Sequence, residues 1–189
     1  MKRLPKTLIV CAMVAATICI GTKGYCQATL NADTVKAQLI KDWQRAKTYT
    51  FAYLSTMPAD KYGFKAVDSI RSFAQQMLHL SQGNFGLIGR ATGQQSPIGG
   101  MIKESSLTAQ SKDSVLYYVG ASYDFAIDAI TKLDAAKLGE KLEGIPVPGG
   151  PYSRLTWLLK AFEHQTHHRG QTTIYIRLLG IHPPNELLF

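Results

Sequence analysis

Cysteine is the first scarcity in this 189-residue chain: there are three, Cys11, Cys19 and Cys26, all within the first 26 residues. Acidic residues are missing from the same stretch. Lys2, Arg3 and Lys6 form a positive head, Thr7 to Gly21 carries no charge, and small or polar residues follow at Gly24-Tyr25-Cys26-Gln27-Ala28. This is the pattern of a secretory signal peptide, too short and wrongly flanked for a stable membrane anchor. We expect cleavage before Gln27, with a cut after Ala28 as the alternative. Lys23 and Tyr25 occupy positions where a lipobox needs an apolar and a small residue, which disfavours lipid attachment at Cys26. The expected product is residues 27–189, exported to the periplasm or beyond. It has no thiol, and so no disulfide, no Cys nucleophile and no thiolate ligand.

Other absences narrow the reading further. The basic excess shrinks with the leader: losing Lys2, Arg3, Lys6 and Lys23 leaves 17 basic side chains against 13 acidic, a net charge of +4 in place of +8. The remaining cations are scattered without a basic stripe, so a nucleic-acid partner is not expected. The glycines of Gly93 to Gly100 form no phosphate cradle, and there is no internal repeat. No stretch alternates with the period of a strand.

Four stretches have helical period instead. Leu39, Trp43, Ala46, Thr50, Tyr53 and Met57 mark the first, with Asp33 or Thr34 as its cap and Pro58 as its end. The second is expected from about Val67 to Arg90, with Ile70, Phe73, Ala74, Met77, Ser81, Asn84 and Ile88 on one face. His79 falls on the opposite face with Ser72, Gln75, Gln76, Gln82, Gly83 and Gly86. That face holds no charge, which suits a wet cleft; an exposed polar face with an incidental His is the alternative. The third helix follows Leu116, Val119, Tyr123, Ala126, Ile130, Leu133 and Lys137. A Gly/Pro-rich connection, Leu138 to Pro151, leads to Ser153, the expected cap of a fourth helix ending near Leu179 and Gly180. Apolar residues nearly all round this last helix predict a central position. Four helices in one domain of this length make an all-α four-helix bundle.

Within the fourth helix, Glu163-His164-Gln165-Thr166-His167-His168 holds three of the five histidines. His164 and His168 stand one turn apart on a face shared with Trp157, Ala161, Tyr175 and Leu179, so two imidazoles can grip one ion. A pair is too few for a divalent metal, and a bundle supplies further ligands from a facing helix.

The run His164-Gln-Thr-His167-His168-Arg169-Gly-Gln171, followed by Tyr175-Ile-Arg177-Leu-Leu-Gly180-Ile-His182-Pro183-Pro184, resembles the C-terminal signature of the DinB-like family of metal-binding four-helix proteins. Met77-Leu-His79-Leu with Asn84 resembles the family's second-helix motif. The resemblance spans the whole expected mature chain. It implies a divalent metal on His79, His164 and His168, with His79 turned inward. By the same resemblance His167 is not a ligand, while Arg169 and Gln171 fasten the helix end. His182 reads as a surface residue.

Three neutral imidazoles suit zinc or nickel and leave at least one coordination position open; iron and manganese more often recruit a carboxylate. Such a site can acidify water, polarise a carbonyl or hold a thiolate. The expected function is therefore a metal-dependent, hydrolase-type enzyme acting on an unknown small molecule, with Glu163 or Tyr175 as candidate proton carriers. Relatives implied by the resemblance include bacillithiol and mycothiol enzymes. Export weighs against a thiol-dependent S-transferase, because those thiols are cytosolic. A non-catalytic metal- or ligand-binding bundle of the envelope stress response is the third expectation. A homodimer is allowed.

Overall fold

The computed structural model describes residues 31–144 and 146–189. The expected leader, residues 1–26 with its three cysteines, lies outside the described residues, as does Ile145. Four helices carry the fold: α1 (Ala32–Thr56), α2 (Phe73–Thr92), α3 (Lys112–Lys132) and α4 (Arg154–Leu178). Among the described residues there is no strand beyond one isolated bridge between Lys141 and Ser153. No described helix is long and apolar enough to cross a membrane.

The caps explain where the helices start. Asn31, two residues before the expected position, caps α1 by accepting from the Asp33 amide at 2.9 Å. The second helix begins at Phe73, six residues later than Val67. Ser72 and Gln75 form a reciprocal capping box there: Ser72 Oγ accepts from the Gln75 amide, and Gln75 Oε1 from the Ser72 amide. Two orphan donors are satisfied at once, which outweighs the helical period of Val67 and Ile70. Helix α3 ends at Lys132 rather than Lys137, because Asp134 caps a separate 3-10 turn over Ala135–Lys137. Ser153 caps α4 as expected, and Gly180 leaves the helix in the left-handed region at φ 74°.

Helix α2 packs against both α3 and α4, and α1 packs against the same two helices from the other side. The order around the bundle is therefore α1, α3, α2, α4. The central role expected of α4 passes to α2, which buries Phe73, Met77 and Ile88 as well as Leu78, Leu80 and Phe85. The apolar count of α4 misleads because several of its apolar residues point outward: Leu159, Ile174 and Leu178 are exposed. Polar residues take the inward places, with Gln165, His168, Arg169 and Thr172 all buried. A helix that buries polar groups must give each one a partner, and those partners build the site.

Candidate metal centre

His79 on α2 and His164 and His168 on α4 meet where the two helices face each other. One nitrogen from each ring lies within 4.8 Å of the others. Ring centroids are 4.5 Å apart for His164 and His168, 4.6 Å for His79 and His168, and 5.3 Å for His79 and His164. His168 is buried, while His79 and His164 are partly exposed.

Two of the three rings are held by their Nδ1 atoms. His168 Nδ1 stands 2.8 Å from Gln76 Oε1, and Gln76 is itself buried beside the Tyr175 hydroxyl. His79 Nδ1 stands 2.8 Å from Glu104 Oε1. An acceptor at Nδ1 fixes the proton there and leaves Nε2 as the free lone pair, the arrangement a metal ligand needs. The His164 ring packs against Gly83, where a Cβ would overlap its Cε1 and Nδ1 atoms. Its Nδ1 is buried without a hydrogen-bond partner.

These observations fit a metal. Burial, followed by the neighbouring His164 and His79, pushes the His168 pKa down to about 3. Burial and His79 also lower that of His164. Both rings are thus held neutral, as donors rather than cations, and the cost of an orphaned polar nitrogen is relieved when the atom gains a partner.

A buried polar network sets the rotation of α4. Arg169 Nη1 donates to Gln165 Oε1 at 2.8 Å, and its guanidinium lies 4.6 Å from the Tyr49 ring centre. Gln165 Oε1 also accepts from the Tyr123 hydroxyl at 2.8 Å. The links run from α4 to α1 and α3, on the side of α4 next to the metal-facing one. Arg169, expected to fasten the helix end, instead ties the middle of α4 to α1. Gln171 instead pairs with His167: its Nε2 donates to His167 Nε2 at 2.8 Å, and the exposed His167 ring stands edge-on to His168 with centroids 5.0 Å apart. His182 is exposed.

The two candidate proton carriers are committed elsewhere. Tyr175 is buried and its hydroxyl donates 2.6 Å to the Arg71 carbonyl. Glu163 pairs with Lys160 at 2.6 Å in solvent, and that hydrogen bond holds its carboxyl below the usual range. Three functional residues were not singled out from sequence: Gln76 and Gly83, whose only signal is the uncharged face of α2, and Glu104, a loop residue with no periodic signal at all.

A four-helix bundle with a three-histidine centre between its second and fourth helices is the class this fold and site define. The model of the DinB family matches residues 27–186, and the chain belongs to that family. A DinB-like protein from Bacillus cereus ATCC 10987 has the same fold. Its crystal structure superposes with a TM-score of 0.65, at 17% identity over 79% of this chain and 96% of that one. No curated protein matches the chain.

Proposed function

We propose that the protein is an exported metal-dependent enzyme whose hydrolase-type reaction on a small molecule takes place at His79, His164 and His168. One observation carries this reading: the cluster has three ligands, not four, and two of them are partly exposed. Structural metal sites are closed by four protein ligands, whereas sites that do chemistry keep a position open. The chemistry that zinc or nickel supplies in such a setting is Lewis-acid polarisation of a substrate oxygen and acidification of water.

The chain's own residues do the rest. Gln76 orients His168, Gly83 lets His164 approach α2, and the Arg169 network holds α4 in register. An open cleft of about 690 Å³, lined by Leu159, Phe162, Glu163, His164 and His167, reaches the centre at His164 and is roomy enough for a small substrate; a second, of about 540 Å³, runs past Arg71, Gln75 and Glu104 without touching a histidine. The test is a panel of ester, amide and phosphoester substrates on the metal-loaded protein. We expect at least one to turn over, and to stop turning over in His168→Ala and after chelation. Activity that survives both treatments would refute a metal-centred reaction. Export rests on the leader pattern alone; the intact mass of envelope-derived protein should begin near Gln27, and a retained Met1 would contradict it.

A further inference from the structure

Glu104 lies in the loop between α2 and α3, far from the histidines in sequence, yet it touches the centre. Its Oε1 is 2.8 Å from His79 Nδ1 and its Oε2 is 3.0 Å from Arg71 Nε. Its backbone is fixed as well. Gln110 Nε2 donates to the Glu104 carbonyl at 2.9 Å, while Gln110 Oε1 accepts from Ser72 Oγ, the cap of the helix that carries His79. Two residues upstream, the Ile102 amide donates 2.7 Å to Gln82 Oε1 on the same helix. The loop is thus fastened to α2 on both sides of Glu104, with Arg71 gripping the far carboxylate oxygen. Among the described residues this is the one carboxylate hydrogen-bonded to any of the three rings.

We propose that Glu104 is a positioning residue of the metal centre: it accepts a hydrogen bond from the protonated Nδ1 of His79, which fixes the ring with Nε2 toward His164 and His168. A carboxylate in this place does two further things. It makes the imidazole a stronger donor than a neutral acceptor would, and it sets a carboxylate charge, partly offset by the paired Arg71, beside a centre whose three ligands carry none. Gln76 plays the neutral counterpart at His168, so the two rings are held by acceptors of different strength. Arg71 acts through Glu104, holding the carboxylate in the rotamer that reaches His79.

The inference rests on the three-histidine reading of the centre, and the experiment separates the two. Zinc affinity of the full-length protein is measured by chelator competition for wild type, Glu104→Ala and Glu104→Gln. Alongside it, imidazole nitrogen NMR of the metal-free proteins at mildly alkaline pH reports the His79 tautomer. We expect zinc affinity to fall ~10–100-fold in Glu104→Ala and by less in Glu104→Gln, which keeps an acceptor oxygen. His79 should carry its proton on Nδ1 in wild type and lose that preference in Glu104→Ala, a change that mere loop loosening would not select. Unchanged affinity, or an unchanged His79 tautomer, overturns the proposal. Wild-type protein that binds no zinc would refute the metal reading, while the tautomer would still decide the Glu104–His79 contact. If Glu104→Ala does not fold, Glu104→Gln decides on both readouts: full wild-type affinity would refute the part played by the charge.

Discussion

Replacing Gly83 with alanine should remove metal binding while leaving the bundle folded. The side chain of His164 lies where that Cβ would go, overlapping at Cε1 and Nδ1 and standing 3.0 Å from Nε2. The obstacle is a backbone-rooted methyl on α2, so the ring must swing away, and with it goes one of only three ligands. Affinity should therefore fall by more than the ~10–100-fold typical of losing a ligand's outer partner. Stability of the metal-free protein should move the other way, or not at all. Glycine in a helix interior costs roughly 0.5–1 kcal/mol relative to alanine, and His164 relieves the clash by rotating toward solvent. The two readouts, zinc competition and the metal-free melting temperature, thus diverge in one variant. Wild-type affinity in Gly83→Ala would show that His164 does not bind from this position.

The second large effect is on the metal-free protein, which should keep its helical circular dichroism and melt cooperatively at a lower temperature. Trp43, Tyr62, Phe73, Tyr123, Ile88, Ile130 and Leu158 are fully buried without any help from the histidines. Each contributes about 1.5–3 kcal/mol of burial. Metal adds to this by mass action: about 4 kcal/mol where free metal is about a thousand times Kd. For a domain of this size each kcal/mol is worth roughly 2–4 °C, so chelation should lower the melting temperature by about 10 °C.

The metal-free protein should itself lose stability in acid. The folded-state pKa of His168 is depressed to about 3 from an ordinary 6.5. Between those values the unfolded chain binds the proton and the folded chain does not. The stability tied to the neutral ring is therefore complete above about pH 6.5 and is lost as pH falls toward 3. Thermal melts of chelated protein across that window check the sign. An unfolded metal-free chain at neutral pH would make the centre a structural staple and remove the case for an open position.

Most of the bundle was legible because its signals are local. The stripe from Leu39 to Met57 and the cap at Ser153 depend on neighbours within a turn, and both appear where their spacing puts them. The start of α2 was misplaced because Val67 and Ile70 continue the period, whereas the Ser72–Gln75 box that ends the ambiguity is a pair of hydrogen bonds. The face of α2 around His79 packs against α4 and the α2–α3 loop. Its lack of charge has a residue-by-residue cause: Gln76 serves His168, Gln82 holds the loop at Ile102, and Gly83 makes room for His164. The apolar content of α4 points to a central place only if its apolar residues face inward, and Leu159, Ile174 and Leu178 do not. Its buried Gln165 and Arg169 find partners on α1 and α3, and no period within α4 reveals those. Glu104 was invisible for the same reason, being a long-range contact made from a loop.

The most direct measurement is metal content of untagged protein, as wild type and as His79→Ala, His164→Ala, His168→Ala and His167→Ala. About one divalent ion per chain is expected in wild type and in His167→Ala, whose exposed ring is occupied by Gln171. Loss of that ion is expected in each of the other three. Full occupancy in any of those three, or loss in His167→Ala, would contradict the ligand set on which the functional account stands.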